Sequence, residues 1–455
     1  MTRTVAVVGG GWAGLAAAIA AQDAGWHVTL LEASPYWGGR ARTVPVLDEA
    51  GTTWPLDNGQ HILIGAYTAT LGLMRRLGVP LAQTLQRLPL TLRYPDGMGL
   101  VPPAWGPRLP PRLAPLALGA ALLRARPWPW RARLAALRAL AGWLRPVDAR
   151  SPDTPVANLC AGLPDPVVRD LIEPLCVAAL NTPIERASAW VFRRVLRDAL
   201  LGPAPAPWAP SDLLLPRADL GQVLPEPATA TLRAGGAVLR SGARVVGLQR
   251  AAGVGWRLQL ASGDTLQTQA VVLACPVAAT ARLLAASGLD AEPTVAAWCA
   301  TAAALHHQPI ATVYLRPPPD WHWPAAEPML ALHTHPVTAP AQFVFWRRPL
   351  ANSAPVLALV ASAPAPALAT DRSALLRAVQ EQLQRQLGLD GCTLLATVVE
   401  KRATFACTPG LRRPGMHVAP GLLAAGDAID GPYPATLEGA VRSGLAAAAA
   451  LSARA

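Results

Sequence analysis

The chain has 455 residues, of which 52% are apolar and only 15% charged. This length predicts two or three domains, and the apolar content supplies a large core and argues against disorder. The 37 glycines and 47 prolines follow no period, which excludes a collagen-like or low-complexity architecture. No run of 18 apolar residues occurs, so we expect no helix that crosses a membrane.

The net charge of +12 comes from 40 basic and 28 acidic residues, and Lys401 is the only lysine. An arginine excess could indicate a nucleic-acid partner, but no zinc-ligand spacing, RNA-binding signature or helix-turn-helix pattern accompanies it. We therefore predict no nucleic-acid partner. The six cysteines include no CxxC pair, which favours reduced thiols in a cytoplasmic protein, and we predict no metal site.

The amino-terminal residues follow a strand–turn–helix–strand pattern, which argues against a targeting signal. Residues 4–8 form a β-branched run, an alanine-rich helix is predicted over 15–24, and a second strand ends at Glu32. Three glycines between the first strand and the helix satisfy GxGxxG, which lets a pyrophosphate approach the helix N-terminus. An acid at the position of Glu32 accepts from ribose hydroxyls and disfavours NADP. The expected ligands here are Gly9, Gly11, Trp12, Ala13, Gly14, Glu32 and Ala33.

The next glycine pair distinguishes FAD from NAD. Residues 38–43 read Gly-Gly-Arg-Ala-Arg-Thr, which resembles the GG-R-x-x-[ST] element of the amine oxidase and phytoene desaturase superfamily of flavoproteins. Glycines let the backbone curl against a cofactor, and a guanidinium neutralises pyrophosphate charge. A solvated loop is the alternative for the two arginines. The resemblance implies non-covalent FAD, held here by Gly38, Gly39, Arg40, Ala41 and Arg42 and, after the next strand, by Asn58 and Gly59.

Two remote segments complete the flavin domain that the resemblance implies. Val245, in a predicted strand, would pair its backbone with the adenine, although a buried strand valine is an equal alternative. Gly426 and Asp427 end a short strand before an alanine-rich helix, and the resemblance places Asp427 on the ribityl chain. The backbone amides of Ala435, Thr436 and Leu437 would then face the flavin.

We therefore predict an α/β fold of amine oxidase type. A discontinuous Rossmann-like FAD-binding domain would comprise residues 1–75, 226–285 and 396–455. An α+β substrate domain would comprise residues 76–225 and 286–395.

Further motifs resemble those of hydroxysqualene dehydroxylases, squalene-associated flavoproteins of hopanoid synthesis, along nearly the whole chain. They lie at residues 56–67 (containing Asp-Asn-Gly-Gln-His), 173–183 running on to 198, 211–217 and 402–405. One departure is 429–433, where a Thr-Gly-Leu-like stretch is expected.

The resemblance implies reductive removal of the hydroxyl of 12-hydroxysqualene, giving squalene and water. This chemistry needs a proton donor and an apolar sleeve. His61 and Asp57 are the preferred acids and Glu173 is a third candidate. Each could instead be structural, with His61 hydrogen-bonded in a turn and either carboxylate capping a helix or pairing with an arginine.

Residues 105–145 suit a lipid substrate. No acidic residue lies between Asp96 and Asp148, whereas eight arginines and four tryptophans do. From Trp130 onward the sequence predicts a basic amphipathic helix, with Arg131, Arg138 and Arg145 on one face. The other face would carry Trp130, Leu134, Leu137, Leu140 and Leu144. Such a helix would lie on an anionic membrane surface, and a cap helix packed on the protein is the alternative.

Other functions remain open at this stage. An oxidative polyprenoid desaturase would share the fold and the apolar tunnel but remove hydride instead of adding it. A flavin-bearing scaffold would bind FAD without turnover, and an amine oxidase would need a more aromatic pocket. Cys407 could form a covalent flavin thioether, although a buried free thiol is favoured. No second GxGxxG in a βαβ unit is evident, so we expect an external hydride donor or reductase.

Overall fold

The computed structural model describes residues 3–48, 51–126, 128–147, 151–251, 255–347 and 355–452. Its strands are β1 Thr4–Val8, β2 His27–Leu31, β3 Thr43–Leu47, β4 Thr53–Asp57, β5 Leu63–Ile64, β6 Leu85–Leu88, β7 Leu92–Arg93, β8 Gly99–Leu100, β9 Leu213–Pro216, β10 Val238–Arg240, β11 Val245–Arg250, β12 Trp256–Leu260, β13 Thr265–Thr268, β14 Ala270–Leu273, β15 His307–Arg316, β16 Met329–Ala331, β17 Phe343–Arg347, β18 Val356–Ser362, β19 Thr393–Phe405, β20 His417–Ala419 and β21 Leu422–Ala424.

The α-helices are α1 Trp12–Asp23, α2 Thr68–Arg76, α3 Leu81–Thr84, α4 Ala114–Arg124, α5 Trp130–Trp143, α6 Val156–Leu159, α7 Asp165–Val167, α8 Glu173–Leu180, α9 Ala189–Leu201, α10 Leu220–Val223, α11 Pro225–Ala234, α12 Val277–Ala286, α13 Pro293–Ala303, α14 Pro366–Thr370, α15 Arg372–Leu387 and α16 Leu437–Ser452. Short 3₁₀ turns and one π-helical turn, Val168–Ile172, connect some of them. No helix in the described part of the chain is long and apolar enough to cross a membrane.

The strand that begins the chain belongs to a six-stranded sheet in the order β10-β2-β1-β14-β21-β20. The pairs are parallel except β20–β21. Its strands come from both ends of the chain and from the middle, as a discontinuous domain requires. The predicted strand–helix–strand pattern at the amino terminus is confirmed, with the helix starting earlier, at Trp12, directly after the third residue of the glycine turn.

Helices α1 and α16 pack together because small residues permit a close approach. A Cβ on Gly444 would lie 2.1 Å from the carbonyl oxygen of Ala13. Nine of the twelve residues of α1 are buried, so this helix is enclosed by the sheet, α16 and α11. The carboxyl-terminal helix therefore depends directly on the amino-terminal one.

A second, antiparallel sheet has the order β16-β17-β18-β15-β19 and packs on α15 through an apolar core. The predicted boundary after residue 395 falls inside β19, which pairs with β15 up to the contact between His307 and Phe405. The division into a cofactor domain and a substrate domain stays a prediction, with this strand extending further than the sequence indicated.

The faces predicted for 130–145 are confirmed in part, since Arg131, Arg138 and Arg145 are exposed and Leu137, Leu140 and Leu144 pack against the core. Helix α5 exists, but it buries Ala132, Ala136 and Trp143 and leaves Trp130 exposed. It packs on α4, α7 and α9, so its small residues face the protein as in a cap helix. Pro127, within the predicted segment, lies outside the described residues.

Candidate active site

The glycine turn after β1 is shaped by close backbone contacts. Gly9 has a φ of +113°, and a Cβ there would lie 2.6 Å from the carbonyl oxygen of Ala274. A Cβ on Gly14 would lie 1.8 Å from the carbonyl oxygen of Gly9. Gly11 caps α1 without a side chain, so the first amides of the helix, at Trp12 and Ala13, are available to an anion.

Glu32 lies at the end of β2, where the sequence predicts a ribose ligand. Its carboxylate accepts hydrogen bonds from the backbone amides of Gly10, at 2.6 Å, and Ser34, at 2.7 Å. Each oxygen keeps a further lone pair for a hydroxyl. Ala33 is exposed beside it. The amide of Ala243 donates to the Glu32 carbonyl at 2.8 Å, which places the start of β11 close to this strand end.

Val245 begins β11 two residues beyond that contact and is half-buried. This position is compatible with a backbone contact to an adenine next to Glu32. The role of Val245 stays a prediction.

The second glycine pair continues the same surface. Gly38 and Gly39 have φ values of +104° and +62°, and a Cβ on Gly39 would lie 3.0 Å from the Cα of Gly11. The carbonyl of Ala41 accepts from Trp12 Nε1 at 2.9 Å. The two glycine motifs therefore form one cradle.

The hydrogen bonds of the Arg42 guanidinium indicate whether this cradle fits the cofactor. Its Nη1 donates to the Gly39 carbonyl at 2.5 Å, but its Nε is buried and has no hydrogen-bond partner among the described residues. A buried guanidinium N–H without an acceptor, close to an uncapped helix N-terminus, suits a pyrophosphate. The residues present thus fit the dinucleotide part of FAD.

Arg40 joins the two ends of the chain. Its Nη2 forms an ion pair with Asp427, and its Nη1 donates to the Ala403 carbonyl at 2.6 Å. Attraction to Asp427, acting against burial, raises the pKa of the Arg40 guanidinium. Asp427 was predicted to hold the ribityl chain and Arg40 the pyrophosphate, and the structure brings these two side chains into direct contact.

Small residues precede α16 as predicted, but the Ala435 amide is engaged within the protein, and the contact of the amides of Thr436 and Leu437 with the flavin stays a prediction. The amide of Ala435, whose φ is +57°, donates to the Asp427 carbonyl at 3.2 Å. Thr436 Oγ1 accepts from the Gly439 amide at 3.0 Å and so caps the helix that begins at Leu437. These contacts tie the start of α16 to the backbone of Asp427, the residue whose carboxylate binds Arg40.

Glu438, which the sequence reasoning missed, anchors the same turn. It is fully buried and accepts from the backbone amides of Ala69 and Thr70, each at 2.9 Å, at the start of α2. Arg442 Nε lies 2.7 Å from its carboxylate. A Glu one position after Leu437 in an otherwise small and apolar helix start is the signal that could have identified it.

The motif after β4 connects the cradle to the interior. The side-chain amide of Asn58 donates to the Arg40 carbonyl at 3.2 Å. Gly59 has a φ of +107°, and its carbonyl lies 2.9 Å from His61 Nδ1. His61 Nε2 has no hydrogen bond among the described residues. Burial lowers the pKa of His61, so the ring is neutral at pH 7, with a proton on Nδ1 and a free acceptor at Nε2.

Asp57 is buried in an ion pair. Its Oδ2 lies 2.9 Å from Arg347 Nη1, and its Oδ1 accepts from the Leu220 amide at 2.8 Å. The Tyr314 hydroxyl donates to the Asp57 carbonyl at 3.0 Å. Burial raises the pKa of Asp57 to about 6, although Arg347 and the Leu220 amide act in the opposite direction. Asp57 does not bond His61, so the two predicted acids are neighbours in sequence without a direct contact.

Glu173 lies apart from this pair. It is the first residue of α8, its side chain is exposed, and it makes no hydrogen bond among the described residues. Partial burial and the nearby Glu185 raise its pKa. The motif containing Glu173 does reach the cradle at its far end, where the Asn181 side-chain amide donates to Thr404 Oγ1 at 2.8 Å.

A cavity of about 1160 Å³ is lined by Arg347, the ion-pair partner of Asp57, and by Leu56, but Asp57 itself does not reach its surface. Its volume exceeds the roughly 300–1,000 Å³ of sites for drug-sized ligands. Gln60 and Arg347 reach its surface, and Gln60 Oε1 is buried without a hydrogen-bond partner among the described residues. The aromatic side chains in its wall are Trp54, Trp321, Trp323, Phe345 and Trp346.

Three of these tryptophans form one cluster. The rings of Trp323 and Trp346 are stacked with centroids 5.6 Å apart, and Trp321 lies 5.9 Å from Trp346. Sequence reasoning missed both this cluster and Arg347. The signal available was the first of two arginines that follow the apolar run beginning at Phe343, but its partner Asp57 is 290 residues earlier in the chain.

Comparison with known proteins agrees with this geometry. The family model of flavin-containing amine oxidoreductases matches residues 12–452. Two proteins named hydroxysqualene dehydroxylase are 28% identical (Rhodopseudomonas palustris) and 27% identical (Sinorhizobium fredii), each over 98% of both chains. The crystal structure of an oxidoreductase from Methanosarcina mazei has the same fold, with a TM-score of 0.71 at 15% identity over 97% of this chain and 99% of that one.

These findings confirm the resemblance that the motifs indicated. The family match includes Glu32, the second glycine motif, the Asp57 region and α16, and the cradle fits a flavin dinucleotide. The chain belongs to the family of flavin-containing amine oxidoreductases.

Proposed function

We propose that this protein is an FAD-dependent reductive dehydroxylase that converts 12-hydroxysqualene to squalene and water in squalene and hopanoid synthesis. The observation that carries the proposal is the large tryptophan-walled cavity that Arg347 lines, with the buried carboxylate of Asp57 paired to Arg347 behind the wall. The names of the two full-length relatives support the same substrate class.

The reaction replaces an allylic C–O bond by a C–H bond. One proton converts the hydroxyl into water, and reduced FAD, when bound, supplies the hydride for the carbon. The protein must hold the alkene chain, place a proton on the oxygen and exclude water from the allylic cation. The indole rings of the cavity wall supply apolar surface for the chain and π-faces that favour a nearby cation.

We assign the proton to the Asp57–Arg347 pair. A carboxyl group with a pKa of about 6 is protonated in about one molecule in ten at pH 7, whereas neutral His61 offers an acceptor at Nε2. Arg347 lies between Asp57 and the cavity and orients the hydroxyl by hydrogen bonding. In this proposal the Nε2 atom of His61 accepts a hydrogen bond from the substrate hydroxyl and does not donate the proton. Glu173 has no part in the reaction because its side chain is exposed.

The direct test is anaerobic. Protein whose flavin has been reduced with dithionite is mixed with 12-hydroxysqualene in detergent, while flavin absorbance and extracted lipid are followed. We expect flavin reoxidation with an equal amount of squalene. If the flavin stays reduced and the alcohol intact, the proposal is wrong. Reduction of the oxidised flavin by a saturated polyprene segment would then indicate a desaturase. A protein whose flavin is neither oxidised by the alcohol nor reduced by the polyprene would be a scaffold.

The rate of this single turnover should depend on pH through Asp57. Burial raises the pKa of this carboxyl to about 6, so it is protonated below that pH and loses its proton above it. Above pH 6 the protonated fraction of Asp57 falls about tenfold per pH unit, and the rate should fall in proportion. Stopped-flow measurement between pH 5 and about 8 checks this. A flat profile would exclude Asp57 as the donor.

Arg347→Met should move that profile to higher pH. The guanidinium lowers the pKa of Asp57, and its removal leaves burial unopposed by a cation. The inflection of the rate should therefore shift upward from about 6, while the maximal rate falls because the hydroxyl is no longer oriented. A loss of rate with an unchanged inflection would contradict the coupling of the two side chains. Thermal unfolding of the variant reports whether it folds.

We infer that FAD is bound non-covalently. Burial raises the pKa of the Cys407 thiol to about 12, so no thiolate is available for a thioether. Acid denaturation followed by filtration should release all of the flavin into the filtrate. Flavin retained on the denatured chain would contradict this, and Cys407→Ser would then identify the attachment point.

Two partners complete the proposal. The described part of the chain includes one nucleotide cradle, so we infer that an external hydride donor or a separate reductase reduces the flavin. A C30 substrate resides in lipid, which favours association of the protein with a membrane surface. Absorbance of the oxidised flavin after anaerobic addition of NADH or NADPH tests whether a nicotinamide nucleotide is the hydride donor.

A further inference from the structure

Helix α4 carries an apolar face that nothing in the described structure covers. Its inner side buries Ala117, Leu118, Ala121 and Leu122. Leu116 is 61% exposed and Leu123 is 49% exposed, and their seven-residue separation places them on one helical face. Leu113, just before the helix, extends the same face. A surface with repeated exposed leucines indicates an interaction site.

Two exposed tryptophans border this face. Trp105 lies before α4, and Trp130 begins α5 and is 64% exposed. The Arg131 guanidinium lies over the Trp130 ring, 5.7 Å from its centroid. Tryptophan combines an apolar body with a polar N–H and is favoured where hydrocarbon meets water.

The charge of the surrounding surface is positive. Seven exposed arginines of this segment form no ion pair with a carboxylate among the described residues, and no acidic residue interrupts the sequence from 97 to 147. Each such arginine attracts an anionic surface at short range. They are Arg108, Arg112, Arg124, Arg126, Arg131, Arg138 and Arg145.

A cleft behind α4 brings two of these arginines together. It has a volume of about 340 Å³ and is lined by the loop 97–104, by Ala121 of α4, and by Arg124 and Arg126. Two guanidinium groups in one cleft without a carboxylate provide a site for a phosphate group.

We propose that the surface formed by Trp105, Leu113, Leu116, Leu123 and Trp130 docks on an anionic phospholipid bilayer, with a lipid phosphate held in the cleft by Arg124 and Arg126. The positive charge around the leucines favours an anionic lipid surface over an uncharged one. The lipid-contacting helix is thus α4, whereas the sequence pattern indicated α5.

Vesicle co-sedimentation of the FAD-loaded full chain tests this without any activity measurement, so its result is separate from that of the anaerobic assay. The probes are vesicles of phosphatidylcholine alone and of phosphatidylcholine with phosphatidylglycerol. We expect binding to the second and at least about tenfold weaker binding to the first. Leu116→Ser with Leu123→Ser should lower binding at least about tenfold.

Arg124→Gln with Arg126→Gln should lower binding to the anionic vesicles by at least about fivefold for each charge removed. The matched control, Arg372→Gln with Arg377→Gln on the exposed side of α15, removes the same charge far along the chain and should have little effect. Leu394→Ser is the apolar control, since Leu394 is also exposed.

Three outcomes would overturn the proposal. An equal loss of vesicle binding in Arg372→Gln with Arg377→Gln would show that binding depends only on the net charge of the protein. Stabilisation of the protein by inorganic phosphate that depends on Arg124 and Arg126, without vesicle binding, would show a free-phosphate site. A dimer in solution that Leu116→Ser with Leu123→Ser dissociates, again without vesicle binding, would show that a second copy covers the leucines.

Discussion

Asp57→Asn is expected to lower the rate of 12-hydroxysqualene reduction by about 10²- to 10⁴-fold, the range associated with loss of a general acid. Asparagine has nearly the same shape and its oxygen can still accept from the Leu220 amide. It cannot donate a carboxyl proton and cannot neutralise Arg347. The measurement is the anaerobic single turnover, with flavin content determined for each preparation.

The chain provides a matched control for this change. Asp212 is also buried, pairs with Arg87 at 2.6 Å and accepts from the Ala209 amide at 2.7 Å, but its partner Arg87 does not line the cavity, whereas Arg347, the partner of Asp57, does. Asp212→Asn should lower stability about as much as Asp57→Asn and leave the rate of turnover nearly unchanged. Equal loss of rate in both variants would show that Asp57 is required only for folding.

Gly14→Ala is expected to remove most of the bound flavin. The added Cβ would lie 1.8 Å from the Gly9 carbonyl oxygen, a backbone atom, so either α1 or the glycine turn must shift. Overpacking of this kind costs about 1–3 kcal/mol. If the glycine turn shifts to relieve the contact, this cost corresponds to about 5- to 150-fold weaker FAD binding. The ratio of flavin to protein absorbance after dialysis reports the loss.

Gly72→Ala is the control for Gly14→Ala. Gly72 is also a helical glycine, in α2, but a Cβ there meets no atom within 4 Å. Alanine should stabilise that helix by about 0.5–1 kcal/mol and leave flavin content unchanged. Full flavin occupancy in Gly14→Ala would mean that the close contact at the turn is not needed for the cofactor.

The parts of the site that the sequence predicts are those encoded by short local patterns. The glycine turn, Glu32 at the end of β2 and the small residues before α16 depend on steric requirements that only a few residue types meet. The Asp57–Arg347 pair joins residues remote in sequence, and neither residue has a neighbouring pattern that specifies the other. Tertiary contacts of this kind cannot be read from spacing.

The sequence predicts the faces of helices only in part. In α5 the arginines are exposed and Leu137, Leu140 and Leu144 pack against the core as the period predicts, but the most buried positions include the small residues Ala132 and Ala136. In α4 the leucines alternate between a buried and an exposed side, so hydrophobicity alone does not assign the outward face. The roles of His61, Glu173 and Val245 stay predictions.

The ion pair between Arg40 and Asp427 has a consequence for biosynthesis. The two residues are 387 positions apart, so a growing polypeptide presents the glycine turn long before it can present the carboxylate. At about 5–20 residues per second, this interval is on the order of 20–80 seconds. During it the nucleotide cradle is incomplete, and the flavin can be locked in place only after the last helix has been released from the ribosome and packed on the first.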